Sequence, residues 1–94
     1  MREINRVPLS LEFKRAMAAK RDRLGIDLIA ELAGVSHGFL QECCAPTSRR
    51  NMIYVSTLDK LVTRLGMDAN YLYEAEREAK RLLEEKEELL CRNV

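Results

Sequence analysis

An all-α chain of five helices, the last of them extended, is the architecture that three features of the sequence predict. Four glycines and two prolines among 94 residues fall at intervals that cut the chain into helical lengths. Between them, apolar residues recur three and four apart, the spacing of one helix face. Hydrophobic residues make up 47% and aromatics only 5%, with no tryptophan, so the core is aliphatic and large enough for one domain.

Ser10, after Pro8, is placed to cap a first helix over about 11–24, in which Phe13, Ala16, Met17 and Leu24 face inward and Gly25 ends the run. Ile26 to Ala33 forms a short second helix with Ile29, Ala30 and Ala33 on one side, stopped by Gly34. Ser36 caps a third short helix with Leu40 and Cys43 inward, closed by Pro46. Residues 45–54 have no helical period and are expected as a loop, extended at most over Met52 to Val55. Ser56 is the expected cap of a fourth helix, where Leu58, Leu61, Val62 and Leu65 complete an i, i+3, i+4, i+7 stripe before Gly66. Asp68 caps the last helix, with Met67 and Leu72 as a hydrophobic staple, and nothing breaks helicity from Ala69 to about Cys91. Such a helix is roughly 34 Å long at about 1.5 Å per residue.

The last helix also carries a heptad-like pattern. Leu72, Ala75, Ala79, Leu82, Lys86 and Leu89 alternate by three and four, and Leu83 and Leu90 widen the stripe. The expected division is therefore a domain over 1–70 and an amphipathic helix over 71–94. Only Tyr71, Leu72 and Ala75 are near enough to pack on the first four helices, leaving Ala79, Leu82, Leu83, Leu89 and Leu90 as the residues expected to join chains into a homo-oligomer. The alternative is a solvated single helix held by Glu76–Lys80 and Arg81–Glu85 spacings, each worth a few tenths of a kcal/mol. With about three heptads and Lys86 at a core position, the strand number stays open.

The stretch Ile26 to Ala45 has a mechanical logic of its own. Two short helices crossing steeply need a small residue at closest approach (Ala30), a positive-φ residue between them (Gly34) and apolar inward positions, here Ile29, Ala33, Val35, Leu40 and Cys43. That pattern resembles the helix-turn-helix of the Cro and phage-repressor class, the XRE family. Residues 55–72 look like that family's fourth and fifth helices, so the resemblance covers about residues 10–75 as a pattern rather than as identity. It implies a five-helix Cro/repressor-like domain that binds double-stranded DNA as a transcription regulator, such as a repressor. The third helix would lie in the major groove. Carried over by position, the DNA-binding candidates are Ser36, His37, Gly38, Gln41 and Glu42, with Arg49 and Arg50 on the following loop. Gln41 suits adenine, His37 a guanine or a phosphate, and Glu42 can only accept from cytosine or point away.

Three departures from the family bear on groove contact. Ile26 or Asp27 stands where a polar residue, frequently Gln, opens the second helix; Cys44 stands at a commonly acidic position; and the loop after the third helix is about three residues longer. Arg49 and Arg50 on that loop are the expected compensation, gripping phosphates beside the groove.

The formal net charge of +1 argues against strong non-specific nucleic-acid binding, yet it is unevenly spread. Residues 1–50 hold nine cationic and six acidic side chains, residues 51–70 two of each, and residues 71–94 five and seven. A mildly basic head, with Lys14, Arg15, Lys20, Arg21 and Arg23 on the first helix, precedes an acidic tail that phosphate would repel.

Other chemistries have little support. His37, Cys43, Cys44 and Cys91 fit no zinc-ligand spacing, and Cys43 is expected in the core. No nucleotide-binding glycine motif occurs, and neither a catalytic residue nor a cofactor is expected. An odd cysteine count with two adjacent, no signal-peptide-like run near the N-terminus and no bilayer-length apolar stretch lead to the expectation of a cytoplasmic protein with reduced thiols and no membrane contact. A tail lying on a membrane surface is disfavoured by its acid-rich polar face. The alternative to DNA binding is a helix-turn-helix-derived protein-interaction module, an antirepressor or adaptor.

Overall fold

The structure, a computed structural model, describes residues 4–92; residues 1–3 and 93–94, the ends of the two expected segments, lie outside the described residues. The chain is mostly helical, with five helices and one small sheet. In order the elements are β1 (Arg6–Pro8), α1 (Leu11–Leu24), α2 (Ile26–Ala33), α3 (His37–Cys44), β2 (Met52–Tyr54), α4 (Val55–Arg64) and α5 (Asn70–Arg92).

Local signals set the helix ends. Ser10 Oγ accepts the Phe13 N–H at 3.1 Å, and Ser36 Oγ accepts the Phe39 N–H at 3.2 Å. Each satisfies one of the donors a helix start leaves unpaired. Gly25 and Gly34 follow α1 and α2 at positive φ of 85° and 67°. Asp68 Oδ1 accepts the Asn70 N–H at 2.9 Å at the start of α5.

The mostly helical structure agrees with the all-α class, with one addition: β1 and β2 pair antiparallel with Arg6 opposite Tyr54, Val7 opposite Ile53 and Pro8 opposite Met52. Val7 and Ile53 point into the core while Arg6 and Tyr54 face outward, the guanidinium 5.5 Å from the ring centroid. The extra residues after α3 are thus the means of reaching the N-terminal strand. The strand pair corrects the expected cap of α4. The Val55 N–H donates to Asn5 O at 2.9 Å, so the strand runs straight into α4, whose N-cap is Tyr54, and the expected cap Ser56 lies inside the first turn.

The core is built from Val7, Phe13, Met17, Ile29, Leu40, Cys43, Ile53, Leu58 and Leu61, all buried and contributed by every element but α5. α5 lies across this core and against β1. Tyr71 meets Phe13 edge-on with ring centroids 5.6 Å apart. The covered part of α5 extends beyond Ala75. Ala79, expected at an interface between chains, packs on the chain's own core, and Leu83 is half-buried. The β1–β2 pair supplies the extra surface that meets these later turns. No helix among the described residues is long and apolar enough to cross a membrane.

Candidate functional site

α2, the Gly34 turn and α3 form one outward corner of the molecule. Gly34 donates its N–H to Ala30 O at 2.8 Å, and a Cβ added to it would stand 3.8 Å from Arg64 Nη1, so there is room for a side chain but a left-handed backbone to impose on it. Gly34→Ala should therefore cost about 1–2 kcal/mol, read as a fall of several degrees in thermal midpoint. Gly38→Ala, within α3 and with nothing inside 4 Å of the added carbon, should leave stability unchanged or slightly raised.

α3 is anchored by Leu40, Cys43 and Cys44, all at 1% exposure or less. Opposite this inward set Gly38, Gln41 and Glu42 are exposed along the helix, while Ser36 and His37, one turn before Leu40, are exposed at its N-terminal end. His37 is not isolated there. Its Nε2 lies 3.3 Å from Asp27 Oδ1, linking the starts of α2 and α3 across the turn. Arg64 Nη1 donates to Leu32 O at 3.2 Å and ties α4 to the end of α2.

Glu42 and Arg50, two of the expected contact residues, engage each other. Arg50 Nε donates to Glu42 Oε2 at 2.5 Å, while its guanidinium lies 4.8 Å over the Phe39 ring. A cation and an anion joined in this way present little net field to a phosphate. Arg49, one residue earlier, is exposed and makes no ion pair among the described residues.

The loop between α3 and β2 is held from below. Lys14 Nζ donates to Ser48 O at 3.1 Å, and Ser48 Oγ donates to Glu42 O at 2.7 Å. Lys14 is only 5% exposed, which removes it from the expected basic surface of α1. Its place three residues before Met17 puts it on the inward side of the helix, a signal the charge count overlooks. Arg21 is half-buried and pairs with Asp22 at 3.5 Å, and Lys20 is half-buried, so Arg15 and Arg23 are the fully exposed cations of the expected α1 set. Neither Asp27 beside His37 nor Phe39 beneath Arg50 figured among the expected site residues. Both depend on partners brought in by the turn and the loop.

The three free thiols divide by environment. Burial pushes the Cys43 thiol up to about 12, with the neighbouring Cys44 and Glu42 adding to the rise and Arg50 and Lys14 opposing it. Cys44 is raised too, first by burial. Both are held as neutral thiols near pH 7, poor nucleophiles and poor metal ligands, whereas Cys91 is exposed on the tail. Among the described residues no group of three or more His, Cys, Asp or Glu side chains is placed to hold a metal ion.

Along α5, Leu82, Leu89 and Leu90 are 43%, 55% and 56% exposed. Arg81 bridges Glu78 and Glu85, and its hydrogen bond holds the Glu78 carboxyl below the usual carboxylate range. The expected Glu76–Lys80 pair is not formed; both side chains border a cleft beside Ile4 and Val55. Comparison of the chain with family models, with curated proteins and with solved structures finds no match.

Proposed function

We propose that the chain is a small sequence-specific DNA-binding regulator of the Cro/repressor kind, acting as a dimer or higher oligomer, with α3 as the helix that enters the major groove. The supporting observation is that α3 is seated by a fully buried side while Gly38 and Gln41 on its outer side and Ser36 and His37 at its N-terminal end are exposed, with Arg49 on the following loop, which Lys14 braces. A short helix held rigidly from behind, with small and amide side chains outward, can approach base edges closely, and its N-terminal N–H groups favour phosphate. For a two-fold dimer the half-sites would stand about 10–10.5 bp apart.

Binding to a selected duplex should weaken linearly in log–log salt titration, with a slope near −5 for about six phosphate contacts. Arg49→Ala is expected to flatten that slope by about one, and Arg50→Ala by less, because Arg50 is already engaged by Glu42. Glu42→Gln frees Arg50 and removes an anion from the groove face, so it should tighten binding several-fold at low salt. Absence of duplex binding at low ionic strength by folded protein overturns the proposal.

A second reading, a protein-interaction module on the same scaffold, is favoured by one specific observation. Leu28 and Leu32, one helical turn apart on α2, are 42% and 41% exposed and form an apolar pair on the surface of that helix. Under that reading, Leu28→Lys abolishes capture of a protein partner; under the first, it leaves duplex binding intact or improves it.

A further inference from the structure

Lys14 is a buried cation that meets no carboxylate. The residue is 5% exposed and forms no ion pair among the described residues, and its ammonium donates to Ser48 O, a backbone oxygen of the α3–β2 loop, at 3.1 Å. Withdrawing an ammonium from water is costly unless it is hydrogen-bonded, so this bond couples α1 firmly to the loop. We infer that Lys14 is a positioning residue for duplex binding: without touching DNA, it fixes the direction in which Arg49 leaves the loop. The inference rests on the DNA-binding reading given above and adds to it a residue that acts only through another.

The peptide unit joining Ser48 to Arg49 is planar, so a bond to Ser48 O also sets the orientation of the Arg49 nitrogen and Cα. Ser48 is held at two further atoms. Its N–H donates to Ala45 O at 3.0 Å, and its Oγ donates to Glu42 O at 2.7 Å. On the other side of Arg49, Arg50 is engaged by Glu42 and Phe39, and Asn51 O accepts the Leu9 N–H at 2.9 Å. Arg49 therefore has a backbone fixed on both sides and a side chain that is exposed and outside any ion pair among the described residues.

A cation presented in this way loses less freedom on meeting a phosphate than one on a loose loop, and the difference appears as affinity. Lys14 itself is too buried to be the contact. The two roles leave different marks on a salt titration. Losing a phosphate contact flattens the log–log slope by about one, whereas loosening the loop weakens binding at every salt concentration and leaves the slope in place.

The test compares the full wild-type chain with Lys14→Met, which keeps an apolar stem and removes the ammonium. In the DNA-free protein, nitrogen-15 relaxation should give Arg49 a backbone order parameter of about 0.85 in the wild type and below about 0.6 in Lys14→Met. Lys14→Met should weaken binding to a selected duplex by about threefold to tenfold with the salt slope unchanged. In an Arg49→Ala background, where there is no contact left to position, the same substitution should change affinity by less than about twofold. Ser48→Ala, which removes the bond to Glu42 O at a half-buried site, should loosen Arg49 and weaken binding by about twofold or more, and it decides the matter if Lys14→Met does not fold. An Arg49 backbone as rigid in the variants as in the wild type overturns the inference. So does a slope flattened by about one in Lys14→Met, which makes Lys14 a phosphate contact, or equal weakening with and without Arg49, which makes its effect independent of that residue. Absence of duplex binding by the folded wild type overturns the DNA-binding reading and this inference together, whereas duplex binding that Lys14→Met leaves unchanged overturns this inference alone.

Discussion

Leu40→Ala is expected to lose about 2–5 kcal/mol of folding stability, the range for a buried leucine truncated where its surroundings relax only in part. The side chain is fully buried, on the inward side of α3 beside Cys43 and Cys44. A domain of this size has only about 5–15 kcal/mol in total, so a large share of its stability is at stake. With a urea dependence of about 1–3 kcal/mol per molar, the unfolding midpoint should fall by roughly one molar or more, or the chain should be largely unfolded without denaturant. Gln41→Ala, one residue on and exposed, should change folding stability by less than about 0.5 kcal/mol in the same measurement. The contrast separates the side of α3 that holds the fold from the side assigned to recognition. Equal effects at the two positions would show that α3 is not seated by Leu40.

The alkaline stability of the protein should depend on Cys43. Its thiol is raised from an ordinary value of 9.0 to about 12 in the folded chain, first of all by burial. Below pH 9 both folded and unfolded chains carry the proton, and the thiol's contribution is fully present. Above pH 9 the unfolded chain releases its proton while the folded chain retains it, so stability falls by about 1.4 kcal/mol per pH unit until the folded thiol ionises as well. Cys44 acts in the same direction. Between pH 8 and pH 10.5 the wild type should therefore lose about 2 kcal/mol more than Cys43→Ala does, measured by urea unfolding at each pH. Parallel pH profiles for the two proteins would mean that Cys43 is not shielded as described. A thiol reagent at neutral pH gives a second readout, with Cys91 expected to react in the native state and Cys43 and Cys44 after unfolding.

Much of the helical framework is legible from residues close together in the chain. Ser10 and Phe13, Ser36 and Phe39, and Gly34 and Ala30 are pairs three or four apart, and each forms the bond its spacing implies. The inward positions of α3 and α4 follow from periodicity for the same reason, since a helix decides its own faces. Gly38 and Gln41 are legible as exposed because they lie off the face of Leu40 and Cys43, and Ser36 and His37 because they stand at the capped start of α3. Extension at Met52 was legible, but β1 and its pairing with β2 were not, because three-residue strands carry too short an alternation to register, and Val7 meets Ile53 only after α1, α2 and α3 have turned the chain back.

The electrostatics of the site depends still more on distant partners. Arg49 and Arg50 are neighbours with identical chemistry in sequence, yet one is solvated and the other is held by Glu42 over Phe39. Lys14 counts as a surface charge until the α3–β2 loop places Ser48 O above it. Ala79 belongs to an intermolecular stripe until the strand pair comes beneath it. Helix limits and faces were readable from the chain alone because they arise from hydrogen bonds and periodicities spanning a few residues. Which charges remain free, which loop is braced and where α5 leaves the domain were settled by packing, because each depends on groups that only the folded chain brings within a few ångströms.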